Sequence, residues 1–298
     1  MNKISNTRFA PTPSGYLHLG NICNLLLIYC ISKQENFKLQ LRIDDIDRPR
    51  FRQEYLDNIF FVTENLGICF DLGPSSSAEF LRDFSQGNKI DFYRSYLDQF
   101  NTFFCECTRA DLQGLNGIYP GKCLSKKLGK NSSANMKERI IVDSKSKILH
   151  SLEIKEVDYN ALDCIGYFIL WNYLEDRPSY QLVSFVEDQK ASVDFIIRGM
   201  DLTLSTFSQE FLFFKSGDSK LRNYLHHPLI TFQGEKMSKS VLKNSQGNIL
   251  EKYSKEELYS FFFKWFFGKE KKIESLDELV KIFMAENRTL SWESVLIE

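Results

Sequence analysis

Hydrophobic and polar residues in the first fifty positions follow three patterns in turn. Residues 7–14 form a short extended segment, in which Pro11 and Pro13 remove backbone donors and prevent an early helix. The apolar run 22–31 predicts a helix, and the alternation over 37–43 predicts a second strand. A strand, a helix and a strand of this length predict a right-handed crossover unit of a parallel sheet, with ligands beyond the carboxyl ends of the strands.

The rest of the chain mixes helical and extended patterns before residue 247, and helical patterns follow from there. The spacing of apolar residues predicts helices over 52–66, 91–100, 205–215, 255–267 and 276–284. Apolar or alternating runs predict strands over 139–142, 151–157, 194–202 and 224–230. This order favours an α/β protein.

Composition narrows the class of protein. The chain has 298 residues, of which 43% are hydrophobic and 26% are charged, as is typical of a soluble globular protein and not of a disordered one. No secretory signal is visible, and the apolar runs are too short to span a bilayer, so we expect a cytoplasmic protein without a membrane partner. Seven cysteines, an odd number with uneven spacing, favour reduced thiols or a metal site over a disulfide framework.

Charge alone does not predict nucleic-acid binding. The formal net charge is −1, so an RNA partner would have to be held by local patches. Two lysine-rich stretches, within 122–139 and 269–272, are candidates, although such runs are more often solvated faces.

Two short segments carry candidate phosphate chemistry. His18 and Gly20 stand at the predicted start of the first helix, where backbone amides at the positive end of the helix dipole suit a phosphate. Lys236 and Lys239, in the sequence Lys-Met-Ser-Lys-Ser, are mobile point charges that can close over a polyphosphate. Taken singly, each segment is explained as well by a structural histidine or by a solvated charged turn.

A third segment carries metal-binding chemistry. Cys105 and Cys107 form one local pair, and Tyr119 and Cys123 can form a second after a turn-rich loop. Thiolates prefer zinc, which usually takes four ligands in a tetrahedron. The alternatives are three buried free thiols, or three sulfurs and a water with Tyr119 packed nearby.

The His18 and Lys236–Ser240 segments, in this order along one chain, resemble the two signature sequences of class I aminoacyl-tRNA synthetases. The segment Arg8–Arg50 is similar to the glutamate-specific branch, with Asn21 in place of the last histidine of the first signature. The cysteine and tyrosine spacing resembles that of the glutamyl-Q tRNA(Asp) synthetases, compact paralogues of glutamyl-tRNA synthetase.

The resemblance implies an α/β fold: a Rossmann-like class I catalytic domain with a zinc-binding insertion and a small helical C-terminal region. Its first half would occupy 1–100, the insertion 101–165, the second half with the lysine loop 166–246, and the helical region 247–298.

The resemblance also implies the site residues. Glutamate would be bound by Arg8, Ser14, Asp44, Tyr180 and Arg198; ATP by His18, Gly20, Asn21 and Lys239; and catalysis would use His18, Lys236 and Lys239. One structural zinc ion per chain would be held by Cys105, Cys107, Tyr119 and Cys123, and Mg²⁺ would accompany ATP. Asp44 stands where the family has a glutamate, so the charge is retained with a shorter reach.

The activity implied is the formation of glutamyl-adenylate from L-glutamate and ATP, with transfer to queuosine in the anticodon of tRNA(Asp), by a monomer. One alternative is a minimal glutamyl-tRNA synthetase that charges a tRNA 3′ end. The 298 residues leave no room for the helical anticodon-binding domain of conventional enzymes, which favours the modifying enzyme. A second alternative is a zinc-stabilised RNA-binding module without catalysis, against which the lysine motif argues.

Overall fold

The computed structural model describes residues 5–115, 117–152, 155–232, 235–236, 247–286, 290 and 292–298. Its helices are α1 Leu19–Gln34, α2 Gln53–Asn65, α3 Ser77–Glu79, α4 Ile90–Arg94, α5 Ala161–Ile165, α6 Tyr180–Lys190, α7 Thr203–Lys215, α8 Lys255–Phe267 and α9 Leu276–Ala285. Its strands are β1 Asn6–Phe9, β2 Lys38–Leu41, β3 Thr102–Cys105, β4 Lys137–Ile140, β5 Lys147–Leu152, β6 Lys155–Asn160, β7 Ile169–Asn172, β8 Arg177–Pro178, β9 Phe195–Gly199, β10 Asn223–His227, β11 Thr231–Phe232, β12 Glu235–Lys236 and β13 Glu293–Ile297.

The chain divides into two compact units that are interleaved along the sequence. The first comprises Met1–Asn88, Val193–Met200 and Leu225–Leu290, and the second comprises Lys89–Ser192, Asp201–Tyr224 and Ser291–Glu298. The predicted division at residues 101, 166 and 247 stays a prediction.

The first unit is built around α1. Strands β1 and β2 pair in parallel, from Asn6 opposite Lys38 to Phe9 opposite Leu41, as the predicted crossover requires. Between Ile22 and Ser32, α1 is buried at every position except Asn24, because β1 and β2 together with α8 and α9 pack around it. A helix buried on nearly all sides explains why its sequence is a continuous apolar run.

The second unit contains two antiparallel sheets. One has the strand order β3-β4-β7-β8 and carries the cysteine segment at the end of β3. In the other, β5 pairs with both β6 and β13, and the first residues of β10 pair with β13. Helices α6 and α7 pack against each other.

Most predicted elements are confirmed, and three differ. The segment 151–157 is not one strand: it contributes to an antiparallel hairpin in which Lys147 opposes Asn160. The helix predicted over 91–100 is shorter, because regular helix ends at Arg94 and a turn follows. After the confirmed helices α8 and α9, the chain adds strand β13. No helix in the described part of the chain has the length and apolarity needed to cross a membrane.

Candidate active site and metal centre

The loop between β1 and α1 ends in a helix cap made by His18. Its Nδ1 accepts hydrogen bonds from the backbone amides of Gly20 at 3.0 Å and Asn21 at 3.4 Å. The Asn21 side chain returns a bond, because its Oδ1 accepts the His18 amide at 3.1 Å. The amides of Gly20 and Asn21 are therefore bound by the histidine, and phosphate binding by this loop stays a prediction.

The cap determines the protonation state and the tautomer of the His18 imidazole. Burial lowers the pKa of His18 below its ordinary value of 6.5, which favours the neutral ring. Since Nδ1 accepts two amides, the proton of the neutral ring lies on Nε2, which is left as a donor. Gly20 makes this geometry possible, because a Cβ there would lie 2.8 Å from the ring carbon Cε1.

Behind this loop, buried charges gather at the ends of β1 and β2. Asp44 forms a two-point ion pair with Arg42, at 2.8 Å from Oδ1 to Nε and 3.0 Å from Oδ2 to Nη2. Gln86 donates a third bond to Oδ1 at 2.8 Å. Burial raises the pKa of the Asp44 carboxyl, while Arg42, Gln86 and the nearby charge of Arg8 oppose the rise. Oδ2, with one hydrogen bond from Arg42, keeps room for a further donor.

The other two acids of this turn have structural partners. Asp45 is buried and accepts bonds from Arg48 at 2.6 Å, Ser85 at 2.6 Å and the Gln86 amide at 2.7 Å. Asp47 pairs with Arg50 at 3.6 Å. Asp44 and Asp45 thus accept three hydrogen bonds each, and the role of Asp44 in ligand binding stays a prediction.

Sequence analysis missed two members of this cluster, Arg42 and Gln86. Arg42 lies in the predicted strand 37–43, between the buried residues Leu41 and Ile43. A charged residue between two apolar ones at the end of a strand is a signal that could have indicated a functional role. Gln86 gave no signal, because it lies more than forty positions away and reaches Asp44 through the fold.

The remaining predicted glutamate residues are distributed over both units. Arg198 is buried on β9, whose start is tied to β1 by hydrogen bonds of Asp194 with Asn6 at 2.9 and 3.0 Å. Ser14 is half-buried and its Oγ accepts a 3.4 Å bond from Arg50. Tyr180 belongs to the second unit, where it is the first residue of α6 and is 37% exposed.

The lysine segment is described only in part. Lys236 lies on strand β12, where its backbone is opposite that of Thr231. Its side chain and the whole of Lys239 lie outside the described residues.

The four predicted zinc ligands do meet. The Tyr119 hydroxyl lies 3.3 Å from the Cys105 sulfur and 3.4 Å from the Cys107 sulfur, and the sulfurs of Cys107 and Cys123 are 3.5 Å apart. All four residues are buried. With Zn–S bonds of about 2.3 Å, ligand atoms of a tetrahedral zinc site stand roughly 3.8 Å apart, so a small outward movement makes room for the ion.

Four backbone features hold this cluster together. Cys105 ends β3, and the backbone amide of Cys123 donates to the Tyr119 oxygen at 2.9 Å. Tyr119 is fixed by its own carbonyl, which accepts the Tyr167 amide at 3.0 Å. The neighbouring Gly166 has a φ of 57°, and a Cβ there would lie 2.7 Å from the Tyr119 nitrogen.

The pKa shifts within the cluster differ from one residue to another. Burial raises the pKa of Cys107 to about 11 and also raises the pKa of the Tyr119 hydroxyl. Burial acts against ionisation at Cys123 as well, but hydrogen bonds from Tyr119 and the Glu106 amide lower its pKa. A dication favours the ionised form of every such ligand, so the donor set fits zinc.

Comparisons with known proteins agree with this architecture. A family model described as "tRNA synthetases class I (E and Q), catalytic domain" matches residues 5–296. The chain is 28% identical to the glutamate–tRNA ligase of Clostridium kluyveri, over 96% of this chain and 63% of that protein. It is 26% identical to the ligase of the same name from Sulfurihydrogenibium sp., over 95% of this chain and 63% of the relative. The chain thus spans about 63% of the length of these relatives.

A solved structure shows the same fold. The glutamate-tRNA synthetase of Elizabethkingia anophelis superposes with a TM-score of 0.75 at 19% identity, over 94% of this chain and 65% of that one. The α/β catalytic fold expected from the sequence is confirmed. Because the family model covers nearly every residue, the chain belongs to the class I (E and Q) tRNA synthetases, in their catalytic-domain family.

Proposed function

We propose that this protein activates L-glutamate with ATP as glutamyl-adenylate and transfers the glutamyl group to queuosine in the anticodon of tRNA(Asp). The observation that carries the activation step is the buried cluster of Arg8, Arg42 and Asp44 behind the His18 loop. Its guanidinium groups suit a substrate with two carboxylates, and Asp44 suits the single ammonium group.

In the first step, an oxygen of the glutamate α-carboxylate attacks the α-phosphorus of ATP, and the bond to pyrophosphate breaks. No general base is needed because the carboxylate is already ionised, so catalysis consists of positioning and charge stabilisation. The neutral His18 ring would donate from Nε2 to a phosphate oxygen, and Lys236 and Lys239 would neutralise the polyphosphate. Bound Mg²⁺ would supply further neutralisation of the phosphate charge.

Substrate choice would rest on guanidinium groups. Arg8 and Arg198 are buried arginines of the first unit, and a guanidinium binds a carboxylate through two parallel hydrogen bonds. The side-chain amide of glutamine cannot accept both of these hydrogen bonds, because its nitrogen is a donor. The site would therefore select glutamate over glutamine. Ser14 and Tyr180 would complete the glutamate contacts, and the ammonium group would bind Oδ2 of Asp44.

In the second step, a hydroxyl of the acceptor attacks the carbonyl carbon of the mixed anhydride, and AMP leaves. Queuosine as the acceptor is supported by the Cys105, Cys107, Tyr119 and Cys123 set, whose spacing resembles the glutamyl-Q tRNA(Asp) synthetases and whose donor atoms meet. Zinc bound there would be structural, because its four ligands leave no open position for a substrate.

A second candidate is the charging of a tRNA(Glu) 3′ end. It is favoured by the relatives from Clostridium kluyveri and Sulfurihydrogenibium sp., whose names are glutamate–tRNA ligase. Both candidates share the activation step and differ only in the hydroxyl that accepts glutamate.

The test offers the purified protein ATP, radiolabelled glutamate and three RNAs: tRNA(Asp) with queuosine, the same tRNA without it, and tRNA(Glu). The position of the label is then mapped by nuclease digestion. Label confined to the anticodon fragment of queuosine-containing tRNA(Asp) is the expected result, and label at the tRNA(Glu) 3′ end would establish the second candidate.

ATP–pyrophosphate exchange with glutamate tests the activation step separately. We expect exchange by the wild-type protein and its loss in Lys239→Ala, because the charge on the leaving pyrophosphate is then left without its lysine. Absence of exchange in the wild-type protein, with and without RNA, would overturn both candidates.

A further inference from the structure

Strand β4 carries two cations on the face that it shares with the cysteine cluster. Lys137 is directly opposite Cys105 of β3, and Arg139 is opposite Phe103. Residues two apart on a strand point to the same side, so both side chains lie on the side of Cys105. Glu138, between them, points to the other side and binds Thr102 and Tyr173.

Arg139 is a buried charge that contacts no carboxylate in the described part of the chain. It is 2% exposed, and its guanidinium carbon lies 4.0 Å from the centre of the Tyr119 ring. Nη1 donates to the Tyr167 carbonyl at 2.8 Å, while Nε and Nη2 have no acceptor among the described residues. A buried guanidinium is costly unless an opposite charge compensates it.

Lys137 is half-buried, and it likewise has no carboxylate contact among the described residues. Its ammonium donates to the Cys107 carbonyl at 3.1 Å, and to the backbone and side-chain oxygens of Asn135 at 3.2 and 2.7 Å. All three acceptors are uncharged. The nearest acid along the cysteine segment, Glu106, is paired with Lys126 at 2.9 Å instead.

We propose that Lys137 and Arg139 are the counter-ions of the Cys105–Cys107–Tyr119–Cys123 metal centre. This inference rests on the zinc site of the proposed function and goes beyond it by assigning the residues that balance its charge. Zinc with three thiolates and a phenolate has a formal charge of −2, whereas three thiolates and a water leave −1. Two cations match the charge of the first case, and the Arg139 guanidinium lies over the Tyr119 ring.

The electrostatic reason is the low polarity of the site. An anionic metal centre that is buried in protein interacts strongly with charges a few ångströms away, because little water screens them. Groups around the ligands of a metal site typically change metal affinity by about 10–100-fold when they are removed. The two cations should therefore strengthen zinc binding without contacting the ion.

The test measures zinc affinity in reduced, metal-free protein by competition with a chromophoric chelator. We expect Lys137→Gln to weaken zinc binding by about 10-fold or more and Lys137→Arg to restore most of the loss, because the charge returns. Lys147→Gln is the matched control: this lysine of the same unit pairs with Asp158 at an exposed site, and its loss should leave zinc affinity unchanged.

Arg139→Gln is the second variant in the same zinc-competition experiment. We expect it to weaken zinc binding by a similar factor. The Lys137→Gln/Arg139→Gln double variant should bind zinc more weakly than either single variant. Circular dichroism at saturating zinc establishes that each variant is folded, and Lys137 variants alone decide the question if Arg139→Gln does not fold. Zinc affinity within twofold of wild type in Lys137→Gln would overturn the inference.

The outcomes separate this inference from the metal site itself. Wild-type protein that binds no zinc, or Cys107→Ser that binds it as tightly as wild type, would overturn the zinc site. Stoichiometric zinc in wild type with affinity unaffected by Lys137→Gln would leave the site intact and reject the counter-ions.

Discussion

The protonation state of His18, in the loop between β1 and α1, is determined by the hydrogen bonds of its helix cap. Nδ1 accepts the amides of Gly20 and Asn21, and it can do so only while it carries no proton. The unfolded chain takes up a proton at the ordinary pKa of 6.5, whereas burial lowers the pKa in the folded chain. The cap therefore contributes fully above pH 6.5 and is lost as the pH falls through the folded pKa.

His18→Ala should lower the free energy of unfolding by about 1 kcal/mol at pH 7.5, because two helix amides lose their acceptor. The difference from wild type should shrink as the pH falls below 6.5. Urea unfolding at several pH values measures both effects. His18→Asn is the control, since asparagine caps a helix without titrating. A difference that is independent of pH would contradict a neutral capping ring.

Gly166→Ala should weaken the metal centre through the backbone of Tyr119. An alanine Cβ would lie 2.7 Å from the Tyr119 nitrogen and 2.9 Å from its carbonyl oxygen, so the tyrosine must move. We expect lower zinc affinity in the chelator competition. Gly114→Ala is the matched control, because Gly114 also has a positive φ, of 83°, but nothing lies within 4 Å of its added Cβ. Equal zinc affinity in the two variants would argue that Gly166 does not position Tyr119.

Among the secondary-structure elements, strand β13 shows what sequence patterns miss. Helices α1 and α8 were predictable because their apolar residues and flanking signals lie within one segment: Ser254 caps α8, and Gly268 ends it at a φ of 69°. Strand β13 gains its regular structure from β5, whose Leu152 opposes Glu293 from more than a hundred positions away. Pairing over that distance leaves little trace in a local pattern.

Val295→Ala tests how much β13 contributes to stability. Val295 is 2% exposed, whereas the next residue, Leu296, is 49% exposed. Removing two buried methyl groups should lower the free energy of unfolding by roughly 2 kcal/mol, including the cavity left behind. Leu296→Ala on the same strand should change it by less than about 0.5 kcal/mol. Denaturant unfolding measures both, and similar values for the two variants would mean that β13 adds no core.

The proposed glutamate and ATP residues discussed above and the proposed metal ligands belong to different units of the chain. Arg8, His18 and Asp44 belong to the first unit, and the cysteine cluster belongs to the second. The spacing made the cluster one of several alternatives, because four donors close together in sequence need only a turn to meet, and the resemblance to the glutamyl-Q tRNA(Asp) synthetases selected it. The positions of Arg42 and Gln86 around Asp44 were not, since they depend on how separate segments pack.

This division predicts that metal removal affects the two proposed steps differently. With zinc removed by a chelator, or in Cys107→Ser, the segment around β3 and β4 loses its cross-link, so the thermal midpoint should fall. If the proposed function is right, transfer to queuosine-containing tRNA(Asp) should be lost, whereas ATP–pyrophosphate exchange should fall much less, because Arg8, His18 and Asp44 lie outside the unit that contains the cysteine cluster.

Cys164→Ser provides the control for that experiment. Cys164 is a half-buried thiol of the same unit that is not one of the grouped cysteines, so its loss should change neither zinc content nor transfer. Exchange and transfer are assayed on the same preparations, and zinc is measured in each. If exchange fell in step with transfer on zinc removal, the metal would have to support glutamate activation as well.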